Sequence, residues 1–408
     1  MTNDVKILRG LAARYAAAAA DHRNEDNLIL HRNVNDLKMT RPVVHIDEHP
    51  WHELNHDGSL TLQCEEPLFR DLERHFRRTL YKWTTMPADM VISREIKVHK
   101  IVHSTPVGVE IDETILEGGD GNHIVAHEYH DRLKDEADLD RLKMPEYTYD
   151  EAETKRRWQM LGDAIGDILP VRIGGSNPSV SFWDWLSQLR GVTPLMEDLI
   201  ERPEFSHACA KKFADINAHT FRRWEELNLF DAHPLYVHCT PATASALPGE
   251  GFDGEHVRMK DVWGRGTAQI FGAVSPNMHD EFEIEYVKDI LGQFGLVYYG
   301  CCEPLEHKIH IVEKIPNVRK IGCTPWADVD ICAERIGKKY VLSSKPNPAH
   351  IAHFDRDTVV GEITHILDAC RRNGCAVDIT LKDISAGGGG PENLIAWEKL
   401  VMDLVRNY

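Results

Sequence analysis

The chain has 408 residues, a formal net charge of −18 and a hydrophobic share of 42%. That apolar share supplies a large core and excludes a mostly disordered chain, while 28 Gly and 20 Pro exclude collagen-like and low-complexity classes. The acidic balance speaks against a nucleic-acid binder, which needs a basic surface for phosphates, but leaves room for a local basic pocket.

Leu8, Leu11, Ala12 and Tyr15 recur at helical spacing behind Thr2 or Asn3 as a cap, so residues 1–39 read as a helical arm. The run Ala16 to Ala20 is bracketed by Arg14 and Asp21 and falls far short of the roughly 18 apolar residues of a membrane span. It also lacks the order of a secretory signal. Pro42 opens a strand, Val43-Val44-His45-Ile46, and Leu68, Leu72, Phe76 and Leu80 mark one face of an amphipathic helix. Val91 to Val102 reads as strand. Residues 131–158 are dense in charge and contain Pro145, which predicts a solvated excursion.

From about residue 160 the pattern becomes regular. Short apolar runs at Ile168 to Ile173, Leu235 to Val237, Leu296 to Tyr299, Val318 to Ile321, Tyr340 to Leu342 and Ala376 to Leu381 alternate with helical stretches such as Phe205 to Leu227 and Thr358 to Arg372. Strands alternating with helices indicate a parallel sheet. With no Pro-, Gly- or Ser-rich boundary, the expected architecture is an α/β chain: a closed (β/α)8 barrel over residues 40–408 behind the helical arm. Its chemistry is then expected at the C-terminal ends of the strands. Nine cysteines, an odd number scattered without a secretion signal, read as reduced thiols in a cytoplasm.

No GxGxxG follows a strand, Gly387 to Gly390 is not followed by the Lys and Ser or Thr of a phosphate loop, and there is no GxSxG elbow. Five constellations remain. Cys301-Cys302-Glu303 closes a buried strand and offers soft and hard metal ligands, against the alternative of a packed thiol. His238-Cys239 closes another run and suits ligation or proton transfer, or simple packing. His123, His127 and His130 have the spacing of one helix face, in a segment that otherwise reads as solvated surface. The stretch His45 to Glu53, with Asp47, Glu48, His49 and His52, is dense enough in carboxylate and imidazole for acid–base work or substrate anchoring, and reads equally as a capped turn. Asp383 follows the last strand, as a site residue or a turn aspartate.

From about residue 255 the chain resembles the uroporphyrinogen decarboxylase superfamily. The resemblance is carried by Lys260-Asp261-Val262-Trp263-Gly264, by Ser275-Pro276-Asn277-Met278-His279-Asp280, and by Tyr299-Gly300-Cys301-Cys302-Glu303-Pro304-Leu305. It continues through Lys314-Ile315-Pro316-Asn317, Leu342-Ser343-Ser344-Lys345-Pro346-Asn347-Pro348, Lys382-Asp383-Ile384-Ser385 and Pro391-Glu392-Asn393-Leu394. Within the superfamily the chain is closer to the corrinoid-dependent methyltransferases than to the haem-pathway enzyme. The resemblance implies a barrel, a homodimer, a zinc ion (Zn2+) near the barrel mouth, and a corrinoid carried by a separate corrinoid-binding protein.

Two departures refine that expectation. The decarboxylases grip substrate carboxylates with an early Arg-rich stretch, whereas His45 to Glu53 holds acids and no arginine. A tetrapyrrole with many carboxylates would be repelled there. In the thiol-methylating enzymes a His and a Cys two apart, then a later Cys, hold zinc; these positions fall on Tyr299, Cys301 and the neighbourhood of Asp383. The expected ligands are therefore Cys301, Cys302, Glu303 and Asp383, with Asp47, Glu48, His52, Glu53 and His238 as catalytic candidates. The expected activity is transfer of a methyl group from a small methoxylated or methylamine-type compound to corrinoid cobalt. A decarboxylase of an unknown acid and a non-catalytic corrinoid- or tetrapyrrole-binding barrel are the alternatives.

Overall fold

A computed structural model of the chain describes residues 2–116 and 125–408. Its first helix, α1 (Asn3–Ala19), starts where Thr2 Oγ1 accepts the Val5 N–H at 3.3 Å. It buries Leu8, Leu11, Ala12 and Tyr15, the stripe read from the sequence. A second helix, α2 (Arg23–Asn35), follows. Helix α3 (Pro67–Thr85) begins with Pro67 in its first turn, where the missing N–H costs nothing, and with Glu66 accepting the Phe69 N–H at 2.8 Å. Leu72, Phe76, Leu80 and Trp83 of α3 pack against α1 and against Leu161, Ala164 and Ile165 of the helix Glu151–Ile165 in one apolar cluster.

Nine strands frame the rest: β1 (Val43–Ile46), β2 (Ile96–His99), β3 (Val171–Gly174), β4 (Ser179–Val180), β5 (Trp263–Gly266), β6 (Leu296–Tyr299), β7 (Val318–Cys323), β8 (Val341–Ser344) and β9 (Ala376–Leu381). Seven form one parallel sheet in the order β1-β9-β8-β7-β6-β5-β4. Parallel strands covered on both faces are mostly apolar, and every residue of β1, β6, β8 and β9 is buried, including the polar His45, Ser343, Asp378 and Thr380. Because all seven run the same way, their C-terminal ends share one edge.

The structure differs from a fully closed eight-stranded ladder. β2 and β3 make a separate parallel pair, and among the described residues no ladder joins β1 to β2. The side chain of Tyr236 links β1 to the segment leading to β2: its ring stacks on His45 of β1 at 4.3 Å between centroids, and its hydroxyl accepts the Val91 N–H at 3.1 Å. Tyr236 belongs to a short antiparallel hairpin, Tyr236–Val237 with Thr240–Pro241, rather than to a strand of the main sheet.

Two local expectations are corrected. Residues 131–158 are not a bare excursion: Tyr147–Asp150 pairs antiparallel with Ile101–Ser104, and Leu133, Leu139 and Leu142 reach the main core. Their apolar positions are too widely spaced for a periodic reading. His127 and His130 lie on or beside a strand, Ala126–Tyr129, that pairs with Glu113–Leu116, where they bond Glu113 and Thr114 separately. A strand sends these two exposed side chains to different partners, so they share no helix face and lie on solvated surface, the other reading of the segment; His123 lies outside the described residues. Among the described residues no helix is long and apolar enough to cross a membrane.

Candidate active site

The candidate residues meet at the C-terminal edge of the sheet. At the end of β6, Gly300 adopts φ +110°, and a Cβ there would stand 2.9 Å from Leu305 Cδ1. Only glycine makes that turn without strain, and it delivers Cys301 and Cys302 to the edge with their sulfurs 3.7 Å apart. Glu303 holds the turn from below. One carboxylate oxygen accepts the Cys301 N–H at 2.9 Å, and the other accepts the Thr267 hydroxyl at 2.8 Å. Burial raises Glu303 to about 7. Glu303 thus ties the turn to Thr267, the residue after β5, with each of its oxygens accepting a hydrogen bond.

His238 reaches Cys301 from the hairpin, with Nε2 3.2 Å from Sγ. Its backbone is left-handed, φ +52°, as is that of Asp383 at φ +57°. Non-glycine residues seldom adopt this conformation, and two of them at one site mark a place where surrounding contacts hold the backbone against its preference. Burial alone would lower His238, but hydrogen bonds to the sulfurs of Cys239 and Cys301 outweigh it and raise the imidazole to about 9. Cys301 moves the opposite way. The hydrogen bond from the Cys302 thiol lowers it most, and His238 and Lys382 add to that against the cost of burial. Cys302, giving that bond, is raised. The arrangement is a thiolate beside an imidazolium, with Cys302 retaining its proton.

Lys382 completes the group, and it was absent from the sequence expectations. Its Nζ lies 3.6 Å from Cys301 Sγ, 3.3 Å from Cys302 Sγ and 2.5 Å from Asp383 Oδ2. Burial opposes the ammonium, but Cys301 and Asp383 raise Lys382 overall. The available signal was a lysine closing a run of apolar strand residues, an expensive position unless the charge is used. Asp383 also approaches Cys302, Oδ2 to Sγ at 3.6 Å, and its N–H donates to Glu48 Oε2 at 2.6 Å. Burial first, and the Asp383 charge second, raise Glu48.

Asp47 follows β1, where its N–H donates to the Leu381 carbonyl at 3.0 Å and one carboxylate oxygen lies 3.7 Å from His45 Nε2. Burial works against its charge, but the His45 hydrogen bond prevails and Asp47 is lowered. The structure therefore gathers His238, Cys301, Cys302 and Asp383, with Glu48 bound to the last. His52 and Glu53 are engaged elsewhere. His52 lies 3.4 Å from Glu53, whose other oxygen accepts the N–H groups of Gly387 and Gly389 at 2.9 and 2.8 Å. Glu53 thereby shapes the glycine loop. Tyr299 is fully buried and donates its hydroxyl to Glu283 at 2.9 Å.

In kind, two sulfurs, an imidazole and a carboxylate suit zinc. In arrangement they do not. Among the described residues no three His, Cys, Asp or Glu side chains gather as a metal site, and the Lys382 ammonium already stands against both sulfurs and Asp383. A positive charge in that place opposes a second one.

No family model matches the chain, and no curated protein matches it. Among solved structures it is similar to a methyltransferase from Methanosarcina mazei, at 13% identity and a TM-score of 0.48, over 92% of this chain and 97% of that one.

Proposed function

We propose that the protein is a methyltransferase that removes a methyl group from a small methoxylated or methylamine-type compound, with a corrinoid carried by a partner protein as acceptor. The observation that carries this reading is the contact of His238 Nε2 with Cys301 Sγ at 3.2 Å, at the C-terminal edge of a parallel sheet. The motif residues Tyr299 to Leu305 supply that edge. A methyl ether or methylamine is a poor electrophile. It releases its methyl group only when the departing oxygen or nitrogen is neutralised.

His238 is the proton donor in this scheme. Cys301 keeps it protonated, and the proton passes from the imidazole to the departing heteroatom as the carbon–heteroatom bond breaks. Lys382 keeps Cys301 anionic, so the imidazolium does not lose its counter-charge inside the protein. Asp47 and Glu48, on the neighbouring strand end, orient the substrate. The corrinoid supplies a reduced cobalt nucleophile that takes the methyl group. No step is routed through zinc, because the Lys382 ammonium stands against both sulfurs and Asp383.

The test is methyl transfer to a Co(I) corrinoid protein across methoxylated and methylated-amine substrates. His238→Ala is expected to lower the rate by about 10²- to 10⁴-fold, the range for loss of acid–base help. Asp47→Asn and Glu48→Gln are expected to fall by at least about tenfold. No methyl transfer by the unaltered protein across the whole panel rejects the reading.

A further inference from the structure

A cavity of about 1350 Å³ opens between β1, α3 and the segment 90–101, beside Tyr236. Its lining is rich in cations, and most are already spent. Arg74 is paired with Asp71, Arg94 with Glu25, Arg157 with Glu153, and Lys97 and Arg172 with Asp231. Two are left. Among the described residues Arg78 and Lys82 take part in no ion pair and donate no side-chain hydrogen bond, although both line the cavity.

These two stand four residues apart on α3, which places them one turn apart on the same face. The Arg78 guanidinium lies over the Trp51 ring at 4.7 Å, which fixes its plane and leaves its N–H groups free. Lys82 is half-buried in the cavity wall, and burial lowers it; Asp47 opposes that effect and Arg78 adds to it. Two like charges one turn apart repel each other. An anion bound between them relieves that repulsion. Leu68, Leu72, Leu161 and Ile96 add an apolar stretch to the lining that suits an organic body. Asp47 lines the same cavity and follows β1 at the C-terminal edge of the sheet, the edge at which β6 delivers Cys301.

We propose that Arg78 and Lys82 form an oxyanion subsite that takes the carboxylate of the substrate, the reacting end of which extends past Asp47 toward His238 and Cys301. The inference rests on the methyl-transfer reading for the reacting end only. It narrows the substrate class to methylated compounds that carry one carboxylate. A lone Arg and a lone Lys match one such group, and the acidic stretch around Asp47 turns away polyanions.

Binding to the full chain is measured by calorimetry and thermal shift with benzoate, benzamide and inorganic phosphate as probes. Benzoate is expected to bind and raise Tm, and benzamide, of the same shape without the charge, to do neither. Arg78→Gln and Lys82→Met are each expected to weaken benzoate at least tenfold, while Lys82→Arg retains it. Without ligand, Lys82→Met is expected to melt no lower than the unaltered protein, because the ammonium has no structural partner to lose. Equal binding of benzoate and benzamide overturns the subsite, as does full benzoate affinity in the double variant. Phosphate binding in place of benzoate overturns the assignment to a carboxylate. Because these readouts need no turnover, their failure and the failure of methyl transfer are seen separately.

Discussion

Lys320 Nζ lies 2.8 Å from Asp378 Oδ2 inside the sheet, and both side chains are wholly buried. The pair links β7 to β9, and it also anchors the hairpin that carries His238. Thr240 donates to Asp378 at 2.9 Å, and Lys320 donates to Thr240 and to the Pro241 carbonyl at 2.7 and 3.0 Å. Ser343 of β8 donates to the second Asp378 oxygen at 2.6 Å. Burial alone would raise Asp378, but Lys320 and Lys345 hold it below the usual carboxylate range.

Asp378→Asn is therefore expected to destabilise the protein by about 3–5 kcal/mol, the cost of breaking a buried pair and leaving its ammonium without a charge partner. Urea unfolding measures it. Replacing both members with apolar residues, as in Lys320→Met with Asp378→Leu, is expected to recover most of the loss. A loss below about 1 kcal/mol in the single variant would show that the network does not hold the hairpin.

His238 sets a pH dependence. Its folded value, about 9, lies above the ordinary 6.5. The stability that the imidazolium contributes is therefore complete below about pH 6.5 and is lost as pH rises through about 9. The rate of methyl transfer is expected to share that falling limb. Cys301→Ser removes one of the two sulfurs that raise His238 and should move the limb to lower pH. Titration of the His238 ring by NMR checks both values, and a midpoint below 7 in the unaltered protein would refute the thiolate–imidazolium pair.

Lys382 stands where it would repel a metal cation. Its ammonium faces both sulfurs and Asp383, so Lys382→Met leaves two thiols and a carboxylate without their counter-charge. That variant is expected to bind zinc at least about tenfold more tightly than the unaltered protein, as follows from about 1.4 kcal/mol of removed repulsion. Competition with a chromophoric chelator measures the ratio. Equal affinity would show that the ammonium does not guard the sulfurs.

Glu53→Gln is expected to loosen the loop Gly387 to Gly390. The carboxylate accepts two backbone N–H groups there, and hydrogen bonds to a charged group contribute about 1.5–3 kcal/mol each at most. Amide exchange at Gly387 and Gly389 should accelerate while the core strands keep their protection. Unchanged exchange would return Glu53 to the list of candidate catalytic groups.

The amino-acid sequence by itself determined the elements whose stability is local. The stripe Leu8, Leu11, Ala12 and Tyr15, the cap at Thr2, the Leu72–Phe76–Leu80 face and the apolar runs at β6 and β9 were legible because periodicity and burial coincide there. Cys301, Cys302, His238 and Asp383 were named as candidates from their positions after apolar runs, and the structure brings their side chains together. Tertiary structure alone decided what each carboxylate and ammonium does. Glu303 and Glu53 are spent on backbone donors that only the folded chain presents to them, and Lys382 meets two sulfurs more than eighty positions earlier in the chain or close to it. The break between β1 and β2 was equally hidden, because the ring that links β1 to the segment leading to β2 comes from Tyr236, far along the chain. A side chain's charge state and partners depend on what burial brings within a few ångströms, and spacing along the sequence carries no record of that distance.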